Sequence, residues 1–281
     1  MTSFGARLNL AFETQGHFCV GIDPHSYLLD AFEVDDTAAG AREFSLRVLD
    51  ACVGRVGIIK PQISFFERFG SAGFQALETL FARSRDAGVL VIADAKRGDI
   101  GSTMDAYARA WLTPGSPLEA DALTVNPYLG FGALSSTVDF ALGADKGLFV
   151  LAATSNPEAA ATQQAIIETG VYTGQTVAAS MVSQASAVSR NREPHDSVGV
   201  VLGATLRLEE FGITPDRDTV LPVLAPGFGH QGAQLSDAPN IFGAYTQKLI
   251  VSETRSVLDA GRYGVVDAIK RRVEEVANAL A

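Results

Sequence analysis

Apolar residues in this chain fall into short, unbroken runs rather than an alternating pattern. Eight runs stand out: FCVGID (18–23), VGIIKPQ (56–62), GVLVIADAK (88–96), ALTVNPY (122–128), GLFVLAATS (147–155), SVGVVLGAT (197–205), TVLPVLAP (219–226) and KLIVSET (248–254). Continuous Val, Ile and Leu predict strands covered on both faces, the setting of a parallel sheet. Most of the stretches between them change to helical spacing. Asp36 or Thr37 can cap a helix whose apolar face carries Ala41, Phe44, Val48 and Cys52. Phe74, Leu77, Leu80 and Phe81 form a similar stripe, as do Val265, Val266, Ile269, Val273 and Val276 within 265–280. The longest connection, 157–196, is helix-compatible apart from a break near Gly170–Gly174 and a polar stretch at Arg190–Asp196.

Eight strand–helix units predict a single (β/α)8 TIM barrel, one domain over residues 1–281. An open doubly wound sheet is the structural alternative. No low-complexity linker divides the chain, and its length suits one barrel of roughly 250 residues.

Composition narrows the function classes. The net charge of −10 argues against a nucleic-acid surface, which needs clustered Lys and Arg. A local basic pocket can still hold one small anion, because salt screens distant charges. No apolar run reaches the roughly 18 residues of a membrane span. The opening MTSFGARLNLAFETQGHF lacks a signal-peptide apolar core, so a cytoplasmic location is expected. Cys19 and Cys52 sit in apolar surroundings and read as core thiols. His17, His25, His195 and His230 are scattered without ligand spacing, so no metal site is expected.

A barrel carries its site at the C-terminal strand ends, and the unusual polar residues occur there. Run three ends Val91-Ile92-Ala93-Asp94-Ala95-Lys96-Arg97-Gly98-Asp99. Alternation puts Asp94 and Lys96 on one face with Ile92, while Ala93 and Ala95 point toward a helix layer. Run two ends Ile58-Ile59-Lys60-Pro61-Gln62, which gives Lys60 and Gln62 a common face. A neighbouring strand brings Lys60 within reach of Asp94. Charges at an inward strand end are costly to desolvate, and the fold alone would place Val or Ile there. Opposite charges about 4 Å apart attract by roughly 4 kcal/mol at an effective dielectric near 20, enough to keep a partly dry row ionised. The bland alternative is a salt-bridge network that only closes the barrel top. The chemical reading is that Asp94 repels a substrate carboxylate but not CO2. Lys96 would stabilise charge developing on carbon and then protonate it.

These residues carry a family resemblance. DAKRGD (94–99) fits the D-x-K-x-x-D signature of the orotidine 5'-phosphate decarboxylase family, and Lys60 fits that family's additional lysine. The resemblance runs from GIDPH in run one to ETRS in run eight and is similar to the longer bacterial branch, type 2. It implies a cofactor-free enzyme converting orotidine 5'-phosphate (OMP) to UMP and CO2 in de novo pyrimidine biosynthesis. It further implies a catalytic set of Lys60, Asp94, Lys96 and Asp99, with Lys96 protonating C6. Asp99 is expected to act in the neighbouring subunit's site, so a homodimer is expected. Thr103 lies four residues on, sharing a face with Asp99 if a helix starts there, and is the candidate for a second residue reaching across. A related sugar-phosphate decarboxylase shares the signature but uses magnesium and an acidic residue where Lys60 stands. A non-catalytic nucleotide-binding barrel is the third reading.

The remaining strand ends suit the rest of a nucleotide. Asp23 ends run one and can accept from sugar hydroxyls or simply precede the turn at Pro24. The resemblance assigns it to the ribose. Thr154 and Ser155 end run five, and the resemblance matches Ser155 to a serine that reads the pyrimidine, with Thr154 its rival. After run seven comes APGFGHQG (225–232), whose glycines permit close backbone approach. Arg255 in run eight can grip a phosphate with two N–H groups. The resemblance assigns Gln231 and Arg255 to the phosphate, with Thr254 standing where relatives carry Gly. His230 reads as a solvent-facing loop residue. Asn126 and Tyr128 either line the pocket floor or, for Tyr128, simply pack.

Overall fold

A computed structural model describes residues 2–281. The eight apolar runs become eight parallel strands: β1 (Phe18–Ile22), β2 (Ile58–Pro61), β3 (Leu90–Arg97), β4 (Ala122–Val125), β5 (Gly147–Ala153), β6 (Val198–Leu202), β7 (Val223–Pro226) and β8 (Leu249–Glu253). Each pairs with its sequence neighbour, and β8 pairs with β1 to close a barrel. Closure excludes the open-sheet alternative. Every residue of β1, β2, β4, β6 and β8 is buried, which is why these runs are apolar without alternation.

The predicted helices form where their caps and faces require. Thr37, not Asp36, caps the helix Ala38–Cys52, its hydroxyl accepting from the Gly40 amide at 3.1 Å. Ala41, Phe44, Val48 and Cys52 are fully buried on its inner face. In the helix Ser71–Asp86, Leu77, Leu80 and Phe81 are buried while Phe74 packs at the edge. The last helix starts earlier than its stripe, at Gly261, and buries Val265, Ile269 and Val276. In the long connection, Thr176 caps the helix Val177–Asn191, and the Gly170–Gly174 break lies in the loop before it.

One crossover departs from the expected strand–helix repeat. Between β6 and β7 the chain makes only two 3-10 turns, Leu208–Phe211 and Arg217–Thr219. Gly212, Pro215 and Pro222 interrupt any longer helix there, and Leu208, Phe211, Ile213 and Leu221 cover the barrel instead.

Two apolar layers result. The larger lies between sheet and helices and includes Ala93, with Ala95 packed at its edge, as alternation predicted. The smaller fills the barrel interior with Cys19, Ile58, Ile92, Ala122, Phe149, Val201, Leu224 and Ile250. An N-terminal helix, Phe4–Gln15, plugs the bottom of this interior. Its buried Phe4, Leu8 and Ala11 recur at helical spacing, and Phe4 meets Phe149 edge-on at 6.0 Å. Burying such a phenylalanine contributes about 2–3 kcal/mol. The barrel therefore has a dry floor beneath its site. Among the described residues, no helix is long and apolar enough to cross a membrane.

Candidate active site

Two residues above the apolar floor, the interior changes character. Strand alternation carries Ile58 to Lys60, Ile92 to Asp94, Ala122 to Thr124 and Ile250 to Ser252. Above them opens a cleft of about 290 Å³, lined by Asp23, Lys60, Gln62, Asp94, Lys96, Ser155, Gln231 and Arg255 among others. Eight of these positions come from strand ends or the loops just beyond, so the barrel's closure is what brings them together.

The charged row forms as expected. Lys60 Nζ lies 3.1 Å from Asp94 Oδ2 and 4.0 Å from Asp23 Oδ1, and Lys96 Nζ lies 2.5 Å from Asp94 Oδ1. Lys60 and Asp94 are each 7% exposed, whereas the Lys96 side chain is 42% exposed and reaches into the cleft. Burial alone would raise the Asp94 carboxyl, but Lys60 and Lys96 outweigh it and hold the group at about 2. Burial likewise works to lower the Lys60 ammonium, but Asp94 and Asp23 outweigh it and raise the group above its ordinary value. Asp94 and Lys60 are therefore both charged throughout the neutral range. Beneath it, burial pushes the Cys19 thiol up to about 12, which makes it an inert floor residue.

Asp23 shows a divided carboxylate. Its Oδ2 accepts from the Thr254 hydroxyl at 2.8 Å, while its buried Oδ1 has no hydrogen bond among the described residues. A free buried acceptor facing a cleft suits a ligand hydroxyl. Gly21 makes this arrangement possible, since a Cβ there would lie 1.9 Å from the Thr254 hydroxyl. Thr254 thus ties the end of β8 to the Asp23 carboxylate.

The rim holds the groups expected to meet an anion. Arg255 begins a short helix after β8, and its guanidinium has no carboxylate partner among the described residues. Across from it runs the turn Gly229–Gln231. Gly229 has φ +66°, and a Cβ there would sit 2.7 Å from Glu253 Oε2, so glycine is needed twice over. Glu253 itself is 4% exposed and is gripped by Arg272 of the last helix, with Nε at 3.0 and 3.1 Å from its two oxygens. Arg272 also reaches Glu275 at 2.7 Å. This buried pair, which the sequence reading did not single out, braces the turn from behind. His230 is exposed as expected, yet it also lines the cleft.

At the end of β5, geometry separates Thr154 from Ser155. The Thr154 hydroxyl donates to Asn156 at 2.8 Å and accepts from Gln163 at 3.0 Å. The Ser155 hydroxyl has no partner among the described residues and lines the cleft.

Three expectations need correction. Asp99 and Thr103 do not share a helix face, because the helix starts only at Gly101 and Asp99 lies before its cap. Asp99 instead accepts from the Ile100 amide at 2.8 Å, and neither Asp99 nor the exposed Thr103 lines the cleft of its own chain. Tyr128, 79% exposed, and the exposed Asn126 stand outside the cleft lining and instead border a neighbouring pocket that shares Leu151, Thr154 and Asn156 with the cleft. The Asn126 side chain accepts from the Tyr128 amide at 3.0 Å and so shapes the turn after β4. Lys96 is also not a regular strand residue: its φ is +48°, and the β3–β4 register shifts between Ala93 and Arg97. Alternation nevertheless predicted its direction, because the bulge leaves it on the inner face.

The sequence profile of the orotidine 5'-phosphate decarboxylase / HUMPS family matches residues 16–266. The chain is 47% identical over 264 residues to the orotidine 5'-phosphate decarboxylase of Streptomyces coelicolor, covering 93% of this chain and 91% of the relative. Among solved structures, it matches a Streptomyces avermitilis protein provisionally named as an orotidine 5'-phosphate decarboxylase, with TM-score 0.92 and 46% identity, over 100% of this chain and 96% of the other. Leishmania donovani OMP decarboxylase matches with TM-score 0.78 and 28% identity, over 99% of each chain.

Proposed function

The chain belongs to the orotidine 5'-phosphate decarboxylase / HUMPS family, and on that premise we propose that it converts OMP to UMP and CO2 using its own side chains alone. The observation that carries this reading is the row Lys60–Asp94–Lys96 in a cleft whose rim supplies an unpaired Arg255.

The substrate phosphate binds Arg255, Gln231 and the backbone of the Gly229 turn. The ribose hydroxyls meet the free oxygen of Asp23 and the Lys60 ammonium. The Ser155 hydroxyl reads the pyrimidine edge. This places the substrate carboxylate against Asp94, with Lys96 beside C6. The bond from C6 to the carboxylate carbon breaks, CO2 departs, and the electron pair stays on C6. The Lys96 ammonium stabilises that pair and gives it a proton, yielding UMP, and the amine regains its proton from solvent. Asp94 does its work by staying ionised, so the charge that repels the reactant carboxylate has no counterpart against neutral CO2.

The protein acts as a homodimer in the cytoplasm, with Asp99 and Thr103 entering the partner's cleft. Two features support this. Asp99 and Thr103 lie beside the cleft-forming end of β3 but outside their own cleft. Ile100, Tyr128 and Leu129, on the adjoining loops, are 62%, 79% and 53% exposed and offer an apolar face for a second copy.

Purified protein mixed with OMP tests the function directly. Loss of the orotate chromophore with equimolar UMP, undiminished by EDTA, is the expected result. Absence of UMP at every pH from about 6 to 8, the range of ordinary general-acid work, refutes the reading. Activity on a sugar phosphate that EDTA abolishes would transfer the chain to the magnesium-dependent branch, and tight UMP binding without turnover would make it a binding protein.

A further inference from the structure

The Thr124 side chain lies beneath the cleft and outside its lining, and it is only 1% exposed. Its hydroxyl holds two groups of the charged row at once. The Lys96 backbone N–H donates to Thr124 Oγ1 at 2.9 Å, and that hydroxyl donates its single proton to Asp94 Oδ1 at 2.9 Å. The direction is fixed, because an amide can only donate here and an ionised carboxylate can only accept.

The need for this hydroxyl follows from the bulge in β3. The β3–β4 ladder pairs Ala93 with Leu123 and then Arg97 with Val125, so four steps on β3 face two on β4. The Lys96 amide falls in this slack region, and its residue adopts φ +48°, a conformation that a lysine rarely holds unaided. Thr124 is the β4 residue between the two pairs, and its side chain supplies the acceptor that the ladder does not. The same hydroxyl fixes the rotation of Asp94, whose Oδ1 also receives Lys96 Nζ and whose Oδ2 receives Lys60 Nζ.

We propose that Thr124 is a positioning residue for the decarboxylation, locking the Lys96 backbone and the Asp94 carboxylate to one another through a single hydroxyl. This rests on the decarboxylase reading above. The substrate never touches Thr124, so its removal leaves binding intact and lets the lysine and carboxylate drift from the geometry that the transition state requires.

The test compares Thr124→Val, which keeps the shape and loses the hydroxyl, with Thr124→Ser, which keeps the hydroxyl. In Thr124→Val, kcat for OMP falls about 100-fold, equal to about 2.7 kcal/mol at 1.36 kcal/mol per tenfold, while KM changes less than about threefold. Thr124→Ser recovers most of that loss despite a missing methyl. Should Thr124→Val fold poorly, Thr124→Ala gives the same contrast against Thr124→Ser. Equal losses in the serine and hydroxyl-free variants, a loss confined to KM, or kcat within threefold of wild type in Thr124→Val each overturn the proposal. A wild-type protein that leaves OMP unchanged would instead overturn the decarboxylase reading on which it rests.

Discussion

Replacing Lys60 with Met removes the cation between two carboxylates while keeping a side chain of similar length. In the intact row, Lys60 lies 3.1 Å from Asp94 and 4.0 Å from Asp23. At an effective dielectric near 20 these separations correspond to gross attractions of about 5 and about 4 kcal/mol, against a desolvation cost of several kcal/mol for the buried ammonium. Removing one member of a buried pair generally costs about 3–5 kcal/mol, and Asp94 retains Lys96 and Thr124, so the lower end applies. A loss of about 3 kcal/mol lowers the melting temperature by about 5 °C for a chain of this length. Trp111 is the only tryptophan and is buried, so its fluorescence reports the transition. The pH dependence supplies a second reading. Asp94 titrates at about 2 in the fold, below its ordinary 3.8, so it adds stability above about pH 4 that is lost as pH falls through about 2. That contribution is about 2 kcal/mol. In Lys60→Met the Asp94 group moves upward, so acid destabilisation begins at higher pH. An unchanged melting temperature together with an unmoved acid limb would refute the claim that Lys60 holds the two carboxylates.

Arg255→Ala should raise the Kd for UMP about 100-fold while leaving affinity for uridine unchanged, because a phosphate-gripping guanidinium is lost without touching the nucleoside, and calorimetry with both ligands checks this. Equal weakening of both would remove Arg255 from the phosphate. Asp99→Ala and Lys96→Ala should each be inactive alone but regain roughly one quarter of wild-type activity when unfolded and refolded together, since half of random dimers are mixed and each mixed dimer holds one intact site. No recovery in a sample shown to contain mixed dimers would place Asp99 in its own subunit's chemistry or in none.

Much of this architecture was readable because burial on both faces leaves a strong mark. The eight runs are apolar throughout since barrel strands face a dry interior and a helix layer, and that is why each was found where it stands. Period-2 alternation then sufficed to place Lys60, Asp94 and Lys96 together. The N-terminal plug is not legible in the sequence, although Phe4, Leu8 and Ala11 carry its helical spacing, because one stripe does not reveal what it packs against. The role of Thr124 is hidden in the sequence for a different reason. It sits inside an apolar run, and only the bulge opposite it makes its hydroxyl necessary. The Glu253–Arg272 pair joins residues distant in sequence, and charge alone did not distinguish Arg272 from Arg271 or Lys270. Asp99 fell outside its helix because the chain needs Gly101, at φ +52°, to start the turn.

In the proposed mechanism the row acts on the reacting carbon rather than merely anchoring an anion. Lys96→Ala separates these roles when single-turnover decarboxylation of OMP and equilibrium binding of UMP are measured on the same sample. Turnover should fall by several powers of ten with UMP affinity within about tenfold of wild type, because Lys96 serves mainly the transition state. Turnover and affinity falling by the same factor would contradict that mechanism and make Lys96 a plain anion-binding group.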